Sequence, residues 1–352
     1  MGYPVVLIRE GELGARVTNA LQMAISATGV DIDWQIVDTG SEGQQGRWPS
    51  HIFDVIRRAK TAVIGPLMRP DSYRQMEADI RENLDLYVNL RPAKTMVGIP
   101  SSYQNVDLMI VREMTEGIYA GIEFERTSVE AADARSFLSK LSGKRIREDA
   151  AVGIKPISVK GCGQIIEFAF NYARKNGRHK VIAVHQAHVM AHTDGLFLEI
   201  ARDIAQEFPE IEFEDRAIEV ICRELMQRPD TFDVLVMPNL YGDLLAHLCA
   251  GMVGGLNVPN AHIGDKYAVF GTQSTGLSEV CNNPTSLILA GALMLQHLGE
   301  QDAARRLQAA VETVVADQGD TAADLTPVGF EVVDSQAMAQ AITQAITQAI
   351  AA

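Results

Sequence analysis

Arg81, Arg91 and Arg112 fall close together in the first third of the chain. Brought to one cleft, three guanidiniums would grip a di- or tricarboxylate, because each planar fork offers two parallel hydrogen bonds where a lysine offers a point charge. Further along, Asp243 and His247 stand four residues apart on an expected helix. A carboxylate and an imidazole at that spacing share one helix face.

Elements able to position such groups are visible around them. Val5-Val6-Leu7-Ile8 is a short apolar run ahead of Gly11 and Gly14, followed by Val17, Leu21, Ala24 and Ile25 at helical spacing. The run predicts strand, turn and helix. Phe53, Val55 and Ile56 suggest a second helix, and Ala62-Val63-Ile64-Gly65-Pro66 a strand ending in a turn. Val181-Ile182-Ala183-Val184 and Val234-Leu235-Val236-Met237 predict two more buried strands, with helices over 160–175, Leu196–Phe208 and Leu244–Met252. Alternating β and α elements indicate an open α/β sheet, whose strand ends are where ligands sit.

The 352 residues, 47% of them hydrophobic, suffice for one large domain or several small ones. The formal charge of −14 speaks against nucleic acid or an anionic membrane surface as partner. No run approaches the roughly 18–20 apolar residues of a membrane span. Met1-Gly2-Tyr3-Pro4-Val5-Val6 lacks a secretory leader pattern, and Val6 spoils a myristoylation pattern, so a soluble cytoplasmic protein is expected. Cys162, Cys222, Cys249 and Cys281 form no CxxC and are expected to be reduced, mostly buried thiols. The tail repeats Gln-Ala-Ile-Thr from Gln340, a four-residue period that drifts about 40° per repeat around a helix; it predicts a terminal helix without a function of its own.

Three longer segments carry a resemblance. Arg81-Glu82-Asn83-Leu84-Asp85-Leu86-Tyr87 leads to Asn89-Leu90-Arg91-Pro92 and then to Arg112-Glu113-Met114-Thr115-Glu116-Gly117-Ile118-Tyr119-Ala120. Met237-Pro238-Asn239-Leu240-Tyr241-Gly242-Asp243 is followed by Gly254-Gly255 and Ile263-Gly264-Asp265, and Asn283-Pro284-Thr285 opens a helix ending in Leu298-Gly299. In this order they resemble the β-decarboxylating isocitrate and isopropylmalate dehydrogenases, and nearly the whole chain is covered. The resemblance implies that family's α/β fold: a large domain (1–83 and 256–352), a small domain (84–116 and 159–255) and a clasp (117–158) similar to that of bacterial NADP-type isocitrate dehydrogenases. It also implies a homodimer with paired clasps and shared sites. Residues matching Arg81, Arg91 and Arg112 grip the malate-like part of the substrate in the family. Tyr119 matches the tyrosine that protonates the enolate, a step open to a phenol held close and helped by neighbouring charge.

Other positions depart from the family. Its catalytic lysine falls at Gln186 of Val184-His185-Gln186-Ala187-His188, and an amide has no proton to exchange near neutral pH. His185, His188 and His192 could take over that role or be ordinary structural histidines. The metal-binding aspartates map to Glu219, Asp243 and His247. With the partner subunit's Glu219 these could hold Mn²⁺, Fe²⁺ or Zn²⁺ rather than Mg²⁺, or no metal at all. Gln75 and Glu77 replace small polar residues at the distal substrate position, and Glu77 would repel a third carboxylate. The cofactor loop before Asn283 is about four residues shorter and lacks His and Ala-Pro, which speaks against NAD(P) binding in the family's manner. Glu10 and Glu12 flank the first turn, where carboxylates disfavour a phosphate.

Taken together, the changes predict a catalytically silent or altered relative that keeps the carboxylate grip. It resembles the regulatory subunits of mitochondrial NAD-dependent isocitrate dehydrogenase, which implies a catalytic partner subunit. Two alternatives stay open: changed chemistry on a di- or tricarboxylate through Tyr119 with a histidine or metal, and a divergent NAD(P)-dependent dehydrogenase.

Overall fold

The computed structural model describes residues 2–39, 48–67, 78–255, 258–272, 283–318 and 335–351. Its strands are β1 (Tyr3–Arg9), β2 (Ile32–Asp38), β3 (Thr61–Ile64), β4 (Val88–Lys94), β5 (Asp107–Glu113), β6 (Glu123–Phe124) and β7 (Val152–Gly153). They continue with β8 (Lys180–His185), β9 (Glu212–Ala217), β10 (Val234–Met237), β11 (Pro259–Ile263) and β12 (Ala268–Thr272). One ten-stranded sheet runs β2-β1-β3-β12-β11-β4-β5-β10-β8-β9. Most pairs are parallel; β4 is antiparallel to both β5 and β11, and β11 to β12. All four expected strands lie in this sheet. Their apolar runs are continuous because helices cover a parallel sheet on both faces.

The helices are α1 (Gly11–Ala27), α2 (Ser50–Ala59), α3 (78–84), α4 (Val129–Ser142), α5 (Val159–Lys175) and α6 (Thr193–Ala205). After them come α7 (Ile218–Gln227), α8 (Asn239–Met252), α9 (Thr285–His297), α10 (Gln301–Gln318) and α11 (Ser335–Ala351). Helices α1, α5, α6, α9, α10 and α11 share one core on the first face of the sheet. On the second face, α7 and α8 cover one end while α2 and α3 cover the other. Alternation along the strands decides which side chains reach which face. Leu90 and Met109 join the first core, whereas Ala93 and Ile110 join the second. Arg91 shares the parity of Ala93, and Arg112 that of Ile110, so both arginines belong to the second face.

Helix α6 ends three residues short of the expected Phe208. Pro209 follows, and the residue before a proline is pushed out of helical geometry; Phe208 is buried all the same, its ring 4.9 Å from that of Phe170. The C-terminal repeats form α11, packed on α1. Ile342 and Ile346 are buried while Ile350 is 54% exposed, as the drift of the period requires. Cys162 and Cys249 are buried, Cys222 is exposed, and Cys281 lies outside the described residues. None of the described helices is long and apolar enough to cross a membrane.

Between β5 and α5 the chain leaves the main sheet. A short 3₁₀ turn (Gly117–Ala120) is followed by β6, α4 and β7, with β6 and β7 paired on their own. Ser128 caps α4 by accepting from the Ala131 N–H. Glu116 ties the root of this excursion to α5, accepting from the Ser158 N–H at 2.7 Å and from the Ser158 hydroxyl.

Candidate functional site

Strands β4 and β5 pair so that Asn89 lies opposite Arg112. Arg91 Nε donates to Asn89 Oδ1 at 2.7 Å. Arg112 reaches across to the start of α8, where Nε and Nη2 donate to Asn239 Oδ1 at 3.0 and 2.8 Å and Nη1 donates to Asp243 Oδ1 at 2.6 Å. Both arginines are buried. Asn239 and Asp243 are one helical turn apart, which is why a single guanidinium spans them.

Gly242 makes this approach feasible. A Cβ there would stand 2.5 Å from both Cβ and Cγ of Arg112. Gly242→Ala therefore has to displace Arg112 or α8, and the expected loss is about 1–3 kcal/mol, typical of overpacking. Urea unfolding would register it; an unchanged midpoint would show that the contact is soft.

Tyr119, on the 3₁₀ turn, donates its hydroxyl to Asp243 Oδ2 at 2.6 Å, and the Arg112 Cζ lies 5.0 Å from its ring centroid. Asp243 thus accepts through both oxygens. Burial by itself would raise its pKa, but Arg112, the Tyr119 hydroxyl, Arg91 and His247 together hold it below the ordinary value. A depressed carboxyl contributes stability at pH values above its unfolded pKa and loses that contribution as pH falls through the folded one. Wild-type melting temperature should accordingly drop more steeply below about pH 4 than that of Asp243→Asn; parallel acid limbs would refute the assignment.

Of the residues singled out in the sequence, the structure brings Arg91, Arg112, Tyr119, Asp243 and His247 together, His247 Nε2 lying 3.7 Å from Asp243 Oδ1. Arg81 stands half-buried on α3. Among the described residues it forms no ion pair with the group. Glu219 opens α7 and pairs with His188 at 3.4 Å, both well exposed. No three His, Cys, Asp or Glu side chains converge among the described residues. Asp243 accepts through both oxygens within the chain, and the expected metal set also needs Glu219 of a second subunit. Gln75 and Glu77 lie outside the described residues, as does the loop 273–282. Asn283 Oδ1 accepts from the Thr285 N–H at 2.9 Å and so helps to start α9.

The histidines have separate duties. His185 Nδ1 accepts from the Ala187 N–H at 3.1 Å, which leaves the ring proton on Nε2, 3.3 Å from Asp215 Oδ1. His192 is exposed at the start of α6.

Gln186 belongs to a network that the sequence did not announce. Asp194, fully buried, forms an ion pair with Lys155 and accepts from the Gln186 N–H and the Tyr241 hydroxyl, each at 2.8 Å. Gln186 Oε1 is buried and has no hydrogen-bond partner among the described residues. The expected helix began at Leu196, two residues after Asp194, and only the observed start of α6 at Thr193 puts Asp194 in its first turn. Asn239 was visible only as part of a motif.

The fold and site define a doubly wound α/β protein with two buried arginines, Arg91 and Arg112, at one face of its sheet. A profile described as isocitrate/isopropylmalate dehydrogenase matches residues 10–349, and the chain belongs to that family. It is 36% identical over 321 residues to the probable mitochondrial isocitrate dehydrogenase [NAD] subunit alpha of Drosophila melanogaster, covering 88% of this chain and 80% of that one. The human mitochondrial isocitrate dehydrogenase [NAD] subunit alpha is 35% identical over 332 residues, covering 91% and 85%. Among solved structures, isocitrate dehydrogenase from Methylococcus capsulatus superposes with a TM-score of 0.83 at 37% identity, covering 99% of this chain and all of that one.

Proposed function

We propose that the protein is a clasped homodimer that binds a small di- or tricarboxylate through Arg81, Arg91 and Arg112 without carrying out NAD(P)-dependent oxidative decarboxylation, and that it serves a regulatory role. Gln186 carries this proposal. It stands where the family has its catalytic lysine, and its amide cannot take up the substrate's hydroxyl proton. Lys155 does not stand in for it, because its ammonium is committed to Asp194, the carboxylate that also takes the Gln186 N–H. The two curated relatives named above are isocitrate dehydrogenase subunits by name.

Dimerisation through residues 117–158 is supported by an apolar face that no described residue covers. Phe137 and Leu141, one turn apart on α4, are 62% and 69% exposed. Such a pair on a segment that stands off the main sheet suits a second copy of the same segment. In this arrangement residues 1–83 with 256–352, and 84–116 with 159–255, form the two α/β domains on either side of the arginine cleft.

Pure full-length protein tests the proposal. Calorimetry with isocitrate, citrate and malate should show saturable binding of at least one acid, while mixtures with Mn²⁺ and NAD⁺ or NADP⁺ should yield no reduced cofactor. Substrate-dependent NAD(P)H production that disappears in Tyr119→Phe would sink it in favour of an active dehydrogenase.

A further inference from the structure

On the first face of the sheet, opposite the arginines, β4 and β5 line a second cleft, enclosed by the end of α5 and by α9 and α10. Its volume is about 620 Å³, within the range of small-molecule sites. Strand alternation separates the two clefts. On β4, Asn89 and Arg91 serve the arginine site while Pro92 and Lys94 line the second cleft. On β5, Arg112 serves the former, and Asp107 and Met109 line the latter. The clefts share strands and no lining residue.

Two chemistries meet in the second cleft. Met96, Ile99, Met109, Leu289 and Leu293 give it an apolar floor. Lys94, Lys175, Arg178 and Arg305 outnumber Asp107 and Glu312 on its walls, a local cationic excess on a chain of formal charge −14. Most of these cations are engaged: Lys94 with Glu312 at 2.5 Å, Arg178 with Asp107 and with Asp233 at 3.0 Å, and Arg305 with Asp302. Lys175, exposed at the end of α5, forms no ion pair among the described residues.

Thr285 supplies an independent observation. It lines the cleft at the first turn of α9, is 4% exposed, and its buried Oγ1 has no hydrogen-bond partner among the described residues. Buried hydroxyls are nearly always bonded, so one with no partner among the described residues is a group that a ligand can satisfy once the side chain turns towards the cleft.

We propose that this cleft is a second ligand site, for a small organic anion with an apolar body. Lys175 takes the anionic end, the Met and Leu floor takes the hydrocarbon, and Thr285 meets a polar group at the buried end. The proposal is independent of the chemistry at the arginine site and holds equally for an active dehydrogenase.

A suitable probe is 6-hydroxy-2-naphthoate, with 2-naphthol as its uncharged counterpart, titrated into the full-length protein by calorimetry. Saturable binding is expected for the naphthoate, at least about tenfold weaker binding for the naphthol, and a similar weakening in Lys175→Glu. Leu289→Trp, which fills the cleft, should abolish binding. Lys175 is exposed, so its variant decides the matter even if the tryptophan variant folds poorly. No saturable naphthoate binding, equal affinity for the naphthol, or undiminished affinity in Lys175→Glu would each overturn the proposal.

Discussion

Asp194→Asn lowers the unfolding free energy by about 3–5 kcal/mol, the usual cost of breaking a buried ion pair by removing one partner. Asp194 is 0% exposed and gathers an ammonium, a backbone N–H and a phenol hydroxyl from three separate segments. An asparagine offers one acceptor oxygen where the carboxylate offers two, and its NH₂ faces groups that are themselves donors. Lys155 then keeps its charge with no counter-charge beside it. Against a total stability of about 5–15 kcal/mol, such a loss is readily seen as a lower urea midpoint. Adding Lys155→Met in the same chain removes the stranded ammonium and should return at least half of the loss, a coupling that a double-mutant cycle measures directly. An Asp194→Asn protein within about 1 kcal/mol of wild type would show that water reaches the network and screens it.

Arg112→Lys is the second large effect, and it separates charge from geometry. Three of the five guanidinium donors are spent on Asn239 and Asp243, which fixes the plane of the group and leaves two for a ligand carboxylate. A lysine keeps the positive charge but not the fork, so it cannot bridge Asn239 and Asp243 while also offering parallel hydrogen bonds to an anion. Affinity for the bound carboxylate should fall by about a hundredfold or more, equivalent to roughly 2.7 kcal/mol. Calorimetry on wild type and variant provides the comparison. Equal affinities would mean that the acid binds elsewhere and that Arg112 is purely structural.

Much of this architecture was legible in the chain. Continuous apolar runs such as Val5 to Ile8 and Val234 to Met237 announced strands buried on both faces, since a parallel sheet leaves no face for polar residues. The helix expected from Leu244 begins five residues earlier as α8, at Asn239, and the spacing of Asp243 and His247 put them on one face. Strands β11 and β12 were harder to see. Pro259-Asn260-Ala261-His262-Ile263 is buried throughout yet only partly apolar, and its place between β12 and β4 depends on antiparallel pairing with distant segments. The catalytic-type carboxylates were less legible still. Glu219 was expected to join Asp243 and His247 from a second subunit, and within its own chain it pairs with His188 across an exposed turn.

The sequence by itself determined the α/β class and the family, and it set Asp243 and His247 on one helix face. The class and the shared face follow from residue type and local spacing, and the family from motifs in a fixed order, all properties of the chain alone. Only the tertiary structure decided that Asp243 spends both oxygens on Arg112 and Tyr119, that Asp194 gathers Lys155, Gln186 and Tyr241, and that a second cleft lies behind the arginines. The physical reason is the same in each case. Hydrogen bonds and cavities are set by which faces of distant strands and helices meet, and alternation along β4 and β5 fixes those faces only once the strands on either side are in register.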